Sequence, residues 1–110
     1  TFWCGPYLEL PPGEYEVRFR LKIANSTDRY VIFLDVVKDA GIKTLAKSII
    51  TGNNFSEANT WQEFILSFKL DEPTLQVEFR GMFVSNVTDV YLDYIVVNQT
   101  APFVNKFLGN

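Results

Sequence analysis

Apolar and polar residues alternate with a period of two along most of this chain. In the segment GEYEVRFRLKI, Tyr15, Val17, Phe19, Leu21 and Ile23 share one face, and Glu14, Glu16, Arg18, Arg20 and Lys22 share the other. Successive side chains of a strand point to opposite sides, so this pattern predicts a long strand with one buried and one wet face. QEFILSFKL repeats it with Phe64, Leu66, Phe68 and Leu70, and TLQVEFR with Leu75, Val77 and Phe79 opposite Gln76, Glu78 and Arg80. IKTLAKSII fits a short helix or a strand, and its Ile and Thr content favours the strand. Tight turns are expected at LPPGEY, KDAGIK and LDEPTL, and longer polar connections at ANSTDR, TGNNFSEANT and GMFVSNVTD. The expected strands span roughly 5–10, 13–24, 30–38, 42–50, 60–70, 74–81 and 89–97.

Seven or so short strands at regular spacing predict an all-β antiparallel sandwich or barrel. If successive strands run up and down, the three tight turns share one end of the molecule. The three long loops then share the other.

Composition narrows the possibilities. The chain of 110 residues supports one domain spanning residues 1–110. Its net charge is −3, with acids and bases interspersed; without a basic stripe, nucleic acid is not an expected partner. No apolar run approaches the roughly 18–20 residues needed to cross a bilayer as a helix. The abrupt start at TFWCG, without a signal-peptide pattern, reads as a domain cut from a longer protein. Histidine is absent, which removes Ser-His-acid and Cys-His catalysis and most zinc sites. The single cysteine, Cys4, forms no intrachain disulfide and reads as a small buried hydrophobe.

Four Asn-x-Ser/Thr triplets occur, at Asn25, Asn54, Asn86 and Asn98. For eight asparagines, chance gives about one such triplet, or about two in loops already rich in Asn, Ser and Thr. All four fall outside the expected strands, where a glycosyltransferase has access. The excess points to an extracellular or cell-surface glycoprotein, and an archaeal surface fits both the sequons and the lack of disulfides.

The closing strand VYLDYIVV carries an acid, Asp93, amid apolar residues. Parity sets Val90, Leu92, Tyr94 and Val96 on the core face, and Tyr91, Asp93, Ile95 and Val97 on the other. Burying an unpaired carboxylate raises its pKa by up to ~3–5 units, or ~4–7 kcal/mol, comparable to a whole domain's stability. Asp93 is therefore an ion-pair partner of Arg18, Arg20 or Lys22, a calcium ligand, or simply exposed.

The segment GPYLELPPGEYEVRFRLKIAN and the closing VYLDYIVV resemble the β-jelly-roll family of galactose-binding-like domains and carbohydrate-binding modules. The resemblance covers roughly residues 5–97. It implies a sandwich of eight or nine strands, non-catalytic binding of glycans or surfaces, and attachment to larger secreted or surface proteins. In some members a final-strand aspartate helps to hold structural calcium, which maps onto Asp93. Their companion acid lies before the GPYLEL position, where this chain has no obvious one. A strand would then be missing, formed by residues 98–110, or supplied by another chain.

Sugars stack on exposed rings, and parity brings Trp3, Tyr30, Phe55, Trp61, Phe83 and Tyr91 towards the long-loop end. The binding candidates are Trp61, Trp3 and Tyr91, with Phe33 as the lining of a sheet face; for each ring the competing role is burial under a loop. Trp61 leads, because it is out of phase with Phe64, Leu66 and Phe68 and follows the longest loop. The expected function is a carbohydrate-binding accessory domain. The alternative is a structural or interaction domain of a surface protein or filament, self-associating through 98–110, whose APFVNKFL segment suits strand donation. Catalysis is not expected: a carboxylate pair such as Glu63 with Glu78 is conceivable, but no spacing singles one out.

Overall fold

The segment with the strictest alternation, Gly13–Ile23, becomes the central strand of a three-stranded sheet. In the computed structural model the backbone is described for residues 2–102 and the side chains for residues 8–102. The strands are β1 (Phe2–Leu10), β2 (Gly13–Ile23), β3 (Tyr30–Lys38), β4 (Lys43–Thr51), β5 (Gln62–Leu70), β6 (Thr74–Phe83) and β7 (Val90–Pro102). They form two antiparallel sheets, ordered β1-β6-β3-β4 and β5-β2-β7. Only β3–β4 stays within its sheet; every other connection crosses to the opposite one. The seven strands make an all-β sandwich, compatible with a jelly roll. The ambiguous segment is a strand, and a single 3-10 turn (Gly52–Asn54) opens the longest loop.

The alternating residues of β2 are the heart of the core. Tyr15, Val17, Phe19, Leu21 and Ile23 are all buried, against Val31, Ile32, Leu34 and Val36 of β3 and Val77 and Phe79 of β6. Leu66, Phe68 and Leu70 of β5 complete this layer, with Tyr15 stacked on Phe68 at 5.3 Å between ring centroids.

The poles are segregated as up-and-down parity requires. Gly13 pairs with Leu70 and Pro102, and Lys38 with Lys43, at the end of the tight turns. Gly13 has φ +153, and a Cβ there would lie 2.8 Å from the Ala101 carbonyl oxygen of the neighbouring strand, so the Pro-Pro-Gly turn needs its glycine. At the opposite pole the three long loops hold one another. The Asn25 amide donates to Thr88 Oγ1 (2.9 Å), the Asn59 amide to the Ile23 carbonyl (2.8 Å), and the Gly52 amide to the Arg29 carbonyl (2.9 Å). A Cβ on Gly52 would lie 2.0 Å from the Thr27 carbonyl oxygen, so the first and second long loops touch backbone to backbone.

Three expectations need correction, all through chain irregularities that periodicity does not reveal. Leu75 is exposed and Thr74 buried, because Gln76 adopts a left-handed conformation (φ 53) and an extra β6 residue is inserted opposite Leu8 and Leu10 of β1. On β7, Leu21 pairs with Leu92 but Arg20 pairs with Tyr94, so Asp93 is an extra residue, a β-bulge. Beyond it the faces exchange: Ile95 and Val97 pack on the core, and Tyr94 and Val96 turn outward. Finally, β7 runs to Pro102 instead of ending at 97. Asn98 therefore lies within the strand, opposite Glu16, and residues 98–102 are strand rather than a free tail. Residues 103–110, where the rest of the proposed self-association segment falls, lie outside the described residues, as do the side chains of Trp3 and Cys4.

Candidate functional site

The outward face of the three-stranded sheet carries the polar half of the β2 pattern. Two rows cross it near the long-loop pole. In one, Arg20 of β2 stands between Glu63 of β5 and Tyr94 of β7. In the next, Lys22 stands between Trp61, the residue just before β5, and Tyr91 of β7.

Rings and cations interleave. Lys22 Nζ lies 4.6 Å from the Trp61 ring centroid and 5.3 Å from that of Tyr91. Arg20 Cζ lies 5.6 Å from Trp61 and 5.8 Å from Tyr94. Each such contact at a solvated site contributes about 0.5–1 kcal/mol, enough to bias these side chains and too little to lock them. Trp61 is half-buried and Tyr91 is exposed.

Acids neutralise most of the cations. Arg20 Nη1 donates to Asp93 Oδ2 at 2.9 Å, so the aspartate in the apolar strand is a cross-strand ion-pair partner, carried outward by its bulge. Arg18 donates to Glu16 (2.7 Å) and to Glu63 (3.2 Å). The Tyr94 hydroxyl reaches across β2 and donates to Glu63 Oε2. The Tyr94 hydrogen bond, helped by Arg18, holds the Glu63 carboxyl below the usual glutamate range. The same bond pushes the Tyr94 phenol up, and the hydrogen bonds that Arg18 donates to Glu16 and Glu63 raise the Arg18 guanidinium. Lys22 alone on this face has no acid within ion-pair distance among the described residues.

Calcium does not fit. Asp93 is engaged by Arg20, and among the described residues no group of three or more His, Cys, Asp or Glu side chains is arranged to hold a metal. One aspartate is far short of the six or more oxygens that calcium takes. The conceivable acid pair is also separated. Glu63 faces outward from one sheet, whereas Glu78, between buried Val77 and Phe79, faces outward from the other.

Of the ring candidates, Trp61 and Tyr91 come together around Lys22. Phe33 lies on the opposite side of the sandwich, in line with Ile49 and Met82 across three strands and 6.4 Å from the Tyr30 ring. Trp3 pairs by backbone with Gly81. Phe55 is buried, edge-on to Phe64 at 4.7 Å, so burial under a loop describes that ring. Tyr94 was missed, because straight parity set it in the core. Its spacing of three from Tyr91 is compatible with one face only if a bulge intervenes.

Asn25, Asn54 and Asn86 are exposed at the long-loop pole. Asn54 Oδ1 accepts from the Thr51 amide, and Asn86 has a left-handed backbone (φ 62). Asn98 is exposed near the other pole, on the same outward face as Lys22 and six β2 residues away by register, about 20 Å.

No protein-family model matches the chain, and no curated protein matches it. The class rests on the architecture: an antiparallel β-sandwich of the two-sheet, loop-segregated kind. No helix among the described residues is long and apolar enough to cross a membrane.

Proposed function

We propose that this is a non-catalytic carbohydrate-binding domain, of the galactose-binding-like kind, that takes its ligand on the outward face of the three-stranded sheet. The observation that carries the reading is the Trp61–Lys22–Tyr91 row beside Tyr94: three aromatic rings on one face, with hydrogen-bonding cations between them. A pyranose offers an apolar face to such rings and hydroxyls to the charged groups around them. Tyr91 and Tyr94 stand on β7 and Trp61 directly precedes β5, so little order is lost when a ligand arrives. The four sequons support an extracellular, glycosylated setting; mass spectrometry of protein from its native source, with unmodified Asn25, Asn54, Asn86 and Asn98, would remove that part.

Affinity electrophoresis through gels containing soluble polysaccharides, neutral and acidic, tests the binding reading. Retardation by at least one, reduced about tenfold by Trp61→Ala in a variant with an unchanged far-UV spectrum, is expected. Unretarded migration in all of them sinks it.

A second reading, a structural or interaction domain, is favoured by one observation. Phe33, Ile49 and Met82 form an exposed apolar row on the four-stranded sheet, next to exposed Tyr30. Sedimentation that depends on protein concentration and is abolished by Phe33→Lys would support it.

A further inference from the structure

We infer that the sugar recognised on this face is acidic, carrying a carboxylate or a sulfate ester that pairs with Lys22. The inference rests on the carbohydrate-binding reading and adds the ligand class to it. Three cations line the outward side of β2, and two are already occupied. Arg18 is bound to Glu16 and Glu63, and Arg20 to Asp93. Lys22 is left with aromatic neighbours and no acid in reach among the described residues.

The placement matters more than the count. The Lys22 ammonium sits between the Trp61 and Tyr91 rings. A sugar stacked on either ring sets its substituents within reach of that ammonium. A neutral sugar would displace the cation from the ring face and return only a hydroxyl hydrogen bond. An acidic sugar gives it a counter-ion, adding to the hydrogen bond a Coulombic attraction between opposite charges that a hydroxyl does not supply. The fixed acids, Glu63 and Asp93, are held back by Tyr94, Arg18 and Arg20, so they do not compete for Lys22. They also limit the appetite of the face for anions. With an overall charge of −3, the chain is not a general polyanion binder, and the preference is for one acidic group at one position.

The test uses matched probes: polygalacturonate against its fully methyl-esterified form, and a sulfated galactan against the unsulfated galactan. Dissociation constants come from affinity electrophoresis at low and high salt. The wild-type chain is expected to bind at least one acidic member about tenfold more tightly than its neutral match, with the gap shrinking in high salt. The two pairs separate carboxylate from sulfate recognition. Lys22→Met keeps the apolar stem and is expected to close the gap, weakening the acidic members about tenfold more than their neutral matches. Lys22→Arg restores it in part. Equal affinity for neutral and acidic members, or a gap that persists in Lys22→Met, overturns the acidic preference and leaves the carbohydrate reading standing. Failure to bind any of the four overturns both.

Discussion

Strands β2 and β7 lie side by side for their whole length, yet they obey different rules. β2 is central, flanked by β5 and β7, and its inward residues are almost completely buried. β7 is an edge strand: it bulges at Asp93, and its inward residues Val90, Ile95 and Val97 are only partly buried. A strand with neighbours on both sides must satisfy two ladders and one core at once, so any irregularity would be felt three times. An edge strand answers to one ladder only and can absorb an extra residue. The freedom of β7 is what brings Asp93 and Tyr94 outward together, and with them the rows built around Arg20.

That contrast is open to direct attack. Deleting Arg20 is expected to have the largest effect. A one-residue slip flips either Leu21 and Ile23 or Tyr15, Val17 and Phe19 to the wet face, so no cooperative unfolding transition should survive. Deleting Asp93 removes the bulge residue instead. It leaves Leu92 and Ile95 inward and Tyr94 outward in plain alternation, and costs about 1 kcal/mol or less in urea titrations. If the two deletions are equally damaging, the assignment of centre and edge is wrong.

Phe19→Ala should lower the stability by about 3–5 kcal/mol, since the ring is fully buried. Ile95→Ala, at a half-covered position on β7, should cost about 1–2 kcal/mol. Reversed magnitudes in chemical denaturation would refute the contrast in burial.

The smallest effect concerns the bridge across β2. Glu63 has a lowered pKa in the folded chain, so its contribution to stability is present above the ordinary glutamate value of about 4.3. That contribution fades as the pH falls through the lowered folded value. NMR titration of Tyr94→Phe should show Glu63 moving up towards the ordinary value; an unchanged midpoint would mean that Tyr94 is not the main cause.

Legibility in the sequence followed the same division. All five inward residues of β2, the strand order along the chain and the segregation of loops from turns follow from period-two patterning and turn chemistry, because those segments are regular. Period-two parity misplaces Leu75, Tyr94, Ile95, Val96 and Val97 for one reason: a bulge leaves no periodic trace and inverts the faces on one side of it relative to the other. Asp93 was readable as an ion-pair partner, since the cost of burying it alone excluded the core, but which of three cations it meets depends on register. Trp61 and Tyr91 stood out as rings out of phase with the core or near a loop. Their meeting at Lys22 could be seen only once β5, β2 and β7 were known to be neighbours.

The crossing connections also set a timetable. As the chain leaves the ribosome at about 5–20 residues per second, only β3 and β4 can pair with the strand just made. β2 must wait for residue 62 and beyond before β5 offers it an edge, and longer still for β7. β2, five of whose side chains the finished core buries, is thus made well before it has a companion, and β1 waits longer still, for β6; the charged residues on the outward side of β2 favour its solvation in the interval.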